Sequence, residues 1–223
     1  MKLRLQITKD PEIRFVSHLD YLRAIERSLR RSELPVAYSE GFNPHIKFSL
    51  ASALGVGIVS YAEFVEVEMA EPIEPEQAVL ALRSSLPRGI RILAADAVAN
   101  NENALMAEAA LFDYRVTLQN IDNRLNEKIN NFNNSQTLPF KKSAPKRREG
   151  FKEVDVKRYV DKVNCEIMNN KVILNFSIKN FSEGSFKAMD VLKVLEINTE
   201  NADVERLAIW RENHEPMLIG GIK

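Results

Sequence analysis

The sequence predicts an α+β protein made of two tandem ferredoxin-like halves, each running β-α-β-β-α-β, and three observations predict it. Short alternating apolar segments are interleaved with longer stretches in which apolar residues recur every three or four positions. This interleaving occurs twice in nearly the same order, and a polar stretch at residues 100–103 separates the two passes. The halves are expected at residues 1–100 and 104–223.

Residues 2–9 alternate through Leu3, Leu5 and Ile7 and read as the opening strand. Ser17 is the N-cap of the following helix, with Asp20 three residues on, and Leu19, Leu22, Ile25 and Leu29 are expected to face the core. Pro35 stops that helix. Short extended runs at residues 36–38 and 46–50 flank a glycine loop, and residues 63–69 form a strand with Phe64, Val65 and Val67 as its apolar members. A helix over residues 75–86, closed by Pro87-Arg88-Gly89, and a strand over 90–98 complete the first half. In the second, residues 104–110 suit a helical turn, 112–118 a strand, 121–132 a helix and 137–142 a strand. Residues 154–167 and 171–178 read as a hairpin around Asn169-Asn170, 186–197 as a helix and 204–212 as the final strand. The stretch SAPKRREG, residues 143–150, lacks a periodic apolar face and is expected to be the least ordered.

Composition narrows the function. The 31 acidic and 31 basic residues cancel, so any nucleic-acid surface must be a local patch. Residues 1–50 hold 9 basic against 6 acidic side chains, whereas residues 51–110 hold 3 against 9. The lone Cys165 excludes an internal disulfide and cannot ligate an iron–sulfur cluster, which needs several thiolates. His18, His45 and His214 have no metal-ligand spacing, so no metal site is assigned. No apolar run spans a bilayer and the first residues lack a signal-peptide core, which leads to the expectation of a cytoplasmic protein away from membranes.

The candidate functional residues concentrate in one loop, one helix and one basic run. The loop carries Tyr38, Glu40, Phe42, Asn43, His45 and Lys47 around Gly41, an arrangement of turn formers, aromatics and hydrogen-bonding groups suited to holding a ligand. Arg23, Arg27, Arg30 and Arg31 make the preceding helix basic, and guanidinium forks suit phosphate oxygens; pairing with Glu26 or Glu33 is the competing use of these arginines. Residues 141–158 hold 8 basic against 3 acidic side chains, Lys146, Arg147 and Arg148 among them, and such a loop can follow a phosphate backbone or merely be solvated. For acid–base chemistry the candidates are His45, Glu40, His18 and Asp20, with His18 and Asp20 adjacent enough to form a proton-shuttling pair or simply to close the helix start. Phe42 and Tyr38 offer faces on which bases can stack, or a lid for the core.

The segments RFVSHLDYLRAIERSLRRSELPVAYSEGFNPHIKFSLASALGVGIVSYAEFVEVEM and LPRGIRIL, and more weakly DVKRYV and SFKAMDVLKVL, resemble the radical-SAM-linked domain family of unknown function. The resemblance implies a separately encoded radical SAM partner, of the cobalamin-binding type, carrying the iron–sulfur cluster and S-adenosylmethionine that this chain is not expected to bind. At fold level the tandem arrangement is similar to tRNA pseudouridine synthases and to CRISPR RNA-processing endoribonucleases. The run from Tyr38 to His45 lies where the synthases carry a catalytic aspartate, but Glu40 stands in that place and no arginine precedes it. The function these readings favour is an RNA-binding accessory protein that presents structured RNA, tRNA or rRNA, to the radical SAM enzyme. The alternatives are an intrinsic RNA-modifying or RNA-cleaving activity in the Gly-Phe-Asn-Pro-His loop, and a domain that docks the partner without RNA.

Overall fold

Apolar side chains at every second position make Lys2–Lys9 the first strand, β1, with Leu3, Leu5 and Ile7 on one face. The computed structural model describes residues 1–99, 103–119, 124–145, 148–169, 171–181 and 184–218. The chain divides into two units, Met1–Ala109 with Ala208–Lys223, and Ala110–Leu207.

In the first unit β1 is followed by α1 (His18–Arg31), β2 (Phe48–Leu50), β3 (Ile58–Glu68), α2 (Pro75–Arg83), β4 (Ile92–Val98) and a single helical turn, α3 (Leu105–Glu108). The expected β-α-β-β-α-β order is therefore present. The strands lie in the order β4-β1-β3-β2, every neighbouring pair antiparallel. Leu3 faces Val67 and Leu5 faces Val65 across one side of β1, and Ala97 and Ala95 lie opposite them on the other. Tyr21, Ile25 and Leu29 of α1 and Ala78, Val79 and Leu82 of α2 cover this face to form the core. Each fully buried aliphatic side chain there contributes about 1.5–3 kcal/mol. Leu19 departs from expectation: it is 55 % exposed, and Tyr21 takes its place in the core. Six residues before Ile25, Leu19 falls about 120° away around the helix, beyond the edge of the stripe.

The second unit contains β5 (Leu111–Leu118), α4 (Leu125–Asn134), β6 (Pro139–Ser143), β7 (Phe151–Asp155), β8 (Val163–Met168), β9 (Lys171–Lys179), α5 (Ala188–Val194) and β10 (Ala202–Trp210), which runs past the unit's end at Leu207. Its sheet order is β10-β5-β9-β8. Phe112, Tyr114, Val116 and Leu118 of β5 face Ile178, Phe176, Leu174 and Val172 of β9, and all eight side chains are buried. Arg206, on β10, is also buried, with Nε and Nη2 donating to the Tyr114 hydroxyl at 3.1 and 2.9 Å. The strand expected at 137–142 is β6, but it pairs only with β7 as a separate hairpin. The long strand expected at 154–167 is three pieces: the end of β7, a 3-10 turn at Val156–Arg158, and β8. Asp155 causes the break, its carboxylate capping the turn by accepting from the Lys157 amide.

Candidate functional site

The entry into α1 is held by a buried lysine. Lys9 is fully inside the first unit, and its ammonium donates to the carbonyls of Arg14 and Val16 at 3.0 and 2.9 Å, just before the Ser17 cap. Burial lowers the Lys9 pKa and the charge of Glu63 opposes that shift. Ser17 Oγ accepts from the Asp20 amide at 3.2 Å and donates to Asp20 Oδ2 at 2.7 Å, closing the helix start as the sequence suggests. The Gly57 amide donates to the Arg14 carbonyl, and Arg91 grips Asp10 with two bonds of 2.7 and 2.8 Å. The Ser-His-Leu-Asp, Gly-Val-Gly and Leu-Pro-Arg-Gly-Ile-Arg segments thus all bear on residues 10–17.

The Arg91 contacts hold the Asp10 carboxyl below its ordinary pKa, against the opposing effect of burial. A carboxylate whose folded pKa is depressed stabilises the fold above its unfolded value, about 3.9, and that contribution is lost as the pH falls through the folded value. Asp10→Asn is therefore expected to cost stability near neutrality and progressively less below about pH 4. Urea midpoints of the two proteins compared from neutral pH downward check this. A gap that stays constant to acid pH contradicts it.

The glycine loop is the tip of a hairpin. Val36 bridges to Met69 and Tyr38 to Ile46, and the Lys47 amide donates to the Ala37 carbonyl at 2.9 Å, so residues 39–45 form the turn. Ser39 Oγ accepts from the His45 amide at 3.1 Å and lies 2.8 Å from His45 Nδ1. Gly41 has φ +116°, a conformation that favours glycine. Beyond this pinned base, Glu40, Asn43 and His45 are exposed, and Phe42 is as exposed as a side chain can be. Phe42 is no lid on the core. Lys47 is paired with Glu68 at 3.3 Å.

The acid–base candidates do not converge in one dyad. Both oxygens of Asp20 are engaged by Ser17 and Arg23, not by His18, and these two contacts hold its pKa down. His45 is bonded to Ser39. Arg23, Arg27 and Arg30 lie on one exposed stripe of α1, opposite the core face, and two of them are neutralised along the helix: Arg23 by Asp20 at 3.2 Å and Arg30 by Glu26 at 3.0 Å. Arg31 turns away to donate to the Ser85 carbonyl.

In the second unit the basic residues that flank the 143–150 stretch are held by named partners. Lys141 lies over the Phe151 ring at 4.8 Å, and Arg158 over Phe181 at 4.9 Å. Lys157 donates to the carbonyls of Phe132 and Asp161. Arg148 is exposed in the turn, while Lys146 and Arg147 lie outside the described residues. Tyr159 stacks on Phe186 with centroids 5.5 Å apart, so DVKRYV and SFKAMD meet in one aromatic cluster. Cys165 is half-buried, and burial raises its thiol pKa, the opposite of what a nucleophile requires.

A charged network in the first unit has no counterpart in the sequence reading. Arg4 is completely buried on the face of β1 away from the main core. Its Nε donates to Glu66 Oε1 at 2.9 Å, Nη1 to Glu108 Oε2 and to the Met217 carbonyl at 2.8 Å each, and Nη2 to Glu66 as well. Arg211 holds Glu108 Oε2 from outside at 2.9 Å, and Lys2 reaches Glu66 at 3.3 Å. Burial works against the Arg4 charge, and the bonds from Glu108 and Glu66 outweigh it, leaving the pKa raised. Beside this network a cleft of about 380 Å³ is lined by Lys2, Lys47, Phe48, Glu66, Glu68 and Met106. Each of its lysines is already paired with one of its glutamates. Among the described residues no group of three or more His, Cys, Asp or Glu side chains is placed to hold a metal ion, and no helix is long and apolar enough to cross a membrane.

A family model covers most of these features, matching residues 2–189. The chain belongs to the family "Uncharacterized protein conserved in bacteria (DUF2344)". The match takes in the whole of α1, the hairpin tip and the Leu-Pro-Arg-Gly-Ile-Arg segment. No curated protein matches the chain. Among solved structures, a chain of a Cbf5-Nop10-Gar1 complex aligns over 95% of this chain and 50% of its own length at 13% identity, with a TM-score of 0.49. This chain therefore spans about half the length of that relative. An unknown protein from Galdieria sulphuraria aligns over 92% of this chain and 96% of its own at 10% identity, with a TM-score of 0.28.

Proposed function

We propose that this member of the family is a recognition module whose hairpin tip engages structured RNA, tRNA or rRNA, and presents it to a separately encoded radical SAM enzyme of the cobalamin-binding type. In this reading the iron–sulfur cluster and S-adenosylmethionine belong to the partner. Both units are read as ferredoxin-like: once the β6–β7 hairpin is set aside, each sheet has the strand order fourth, first, third, second. The observation that carries the proposal is Phe42. A phenylalanine left wholly in water forgoes about 1.5–3 kcal/mol of burial, and this one sits on a tip pinned at its base by Ser39 and His45. Tyr38, Asn43 and His45 beside it supply a second ring and hydrogen-bonding edges, the set that reads unstacked bases.

Phe42→Ala is expected to leave folding stability within about 0.5 kcal/mol, since the ring touches no core. It should weaken RNA binding by about 1–3 kcal/mol, the loss of one stacked base. Titration of both proteins with tRNA and a single-stranded oligonucleotide at low salt tests this. Unchanged affinity in the variant removes the tip from the site, and no binding by the parent protein rejects the RNA reading. Retained binding with loss of RNA turnover in His45→Ala would instead favour an intrinsic activity, with the His45 ring as acid or base.

A second reading, docking of the partner protein without RNA, is favoured by a different observation. Phe15, Leu19 and Val56 are 69%, 55% and 53% exposed, and Phe15 and Val56 flank Gly57, whose backbone is tied to Arg14. Association with the radical SAM protein that survives nuclease treatment and is lost in Phe15→Ser supports that reading.

A further inference from the structure

We propose that Lys142, Lys152 and Lys187 form a phosphate-binding site in the second unit, built on the β6–β7 hairpin and the start of α5. The hairpin register sets Lys152 directly opposite Lys142 on one face. Like charges in that position repel, and both side chains are only half exposed. Lys142 bends inward: its ammonium donates to the Ser185 carbonyl and lies 6.0 Å from the Phe186 ring centre. Lys187, two residues beyond that carbonyl, is the N-cap residue of α5. Burial lowers the Lys142 pKa, Asp190 opposes the shift, and the charges of Lys187 and Lys152 add to it.

Among the described residues the cluster sets three lysines against one carboxylate, Asp190. Asp190 Oδ1 stands 3.9 Å from Lys193, and its Oδ2 is buried without a hydrogen-bond partner. The opposite hairpin face is different, because there Lys141 faces Glu153 across the strands and lies over Phe151. An anion with several acceptor oxygens satisfies three ammonium groups at once, and a tetrahedral phosphate is the commonest group of that kind. The phosphate can be free or part of an RNA backbone; the latter source rests on the RNA reading above, whereas the site itself does not.

The test uses the intact chain and its variants Lys152→Gln and Lys187→Gln, separately and together, with Lys141→Gln as the control from the other face. Calorimetric titration with inorganic phosphate against chloride at equal ionic strength is expected to show binding in the parent and in Lys141→Gln, with at least a tenfold loss in the double variant. In the RNA arm, each phosphate contact adds about 0.7 to the slope of log affinity against log salt for a single strand, so loss of this one site in the double variant should lower that slope by about 0.7. No phosphate binding by the parent, or equal binding by the double variant, overturns the site. Phosphate binding without RNA binding leaves the site standing and removes the RNA reading. RNA binding with an unchanged slope in the double variant keeps the RNA reading and overturns this cluster as its contact. Circular dichroism of each variant separates lost binding from lost structure.

Discussion

Arg4→Met is expected to lower the folding stability of this protein by about 3–5 kcal/mol, the cost of breaking a buried ion pair by removing one partner. Methionine fills much of the same space, so the loss comes from charge rather than from a cavity. Glu66 and Glu108 would keep their carboxylates in a site that is 4% and 8% exposed, with Lys2 and Arg211 reaching each from only one side. The Met217 carbonyl would also lose its 2.8 Å donor. Because Arg4 joins strand β1, α3 and the returning C-terminal segment, the effect should spread beyond one strand. Urea unfolding of Arg4→Met, Glu66→Met and the double variant measures it. The double variant should be more stable than the sum of the singles predicts, by about 1–3 kcal/mol, since it leaves no stranded partner between β1 and β3. A loss below about 1 kcal/mol in Arg4→Met would mean that water enters and solvates the glutamates.

Gly89→Ala carries the second large effect. Gly89 has φ +92°, and a Cβ placed there would stand 2.8 Å from Ile13 Cγ2 and 3.2 Å from Glu12 Cγ. Alanine must therefore hold an unfavourable backbone conformation, at about 1–3 kcal/mol. It must also displace Ile13, at about 1–3 kcal/mol for overpacking. The segment cannot simply move away, because the Asp10 amide donates to the Gly89 carbonyl at 2.9 Å and Arg91 holds Asp10. Ile13→Ala added to Gly89→Ala should recover the packing part but not the backbone part. Full recovery would show that the backbone tolerates the substitution, and no recovery that the clash is relieved elsewhere.

Much of the fold was legible because local pattern and tertiary burial agree. β5 and β9 alternate along their whole length and bury the residues that alternation selects. The Ser17–Asp20 cap was legible for the same reason, since both partners lie within four residues. The Arg4 network was not, because its partners are 62, 104 and 213 positions away in the sequence. A strand reading KLRLQITK gives Arg4 the appearance of a solvent-facing residue until α3 closes over it. The basic run misled in the opposite direction. Its charges suggest a solvated loop, yet Phe140 and Val154 pair across the strands and give a short hairpin one half-buried face, while Phe151 on the other face lies under Lys141. At the candidate site, the sequence located the tip and its contents, but not that Phe42 points away from the protein. That depends on the bridges from Val36 to Met69 and from Tyr38 to Ile46, which set where the hairpin ends.

The β6–β7 hairpin has its two ends side by side. The Val156 amide donates to the Leu138 carbonyl at 2.9 Å, and the Leu138 amide donates to Asp155 at 2.8 Å. An insertion whose ends already touch asks nothing of the host sheet, so the four-stranded frame of β10, β5, β9 and β8 retains its register whether the excursion is long, short or missing. The hairpin can therefore be cut away, with Leu138 joined to Val156, without displacing the strands that carry it, at the cost of its contacts with Ser185 and Phe186.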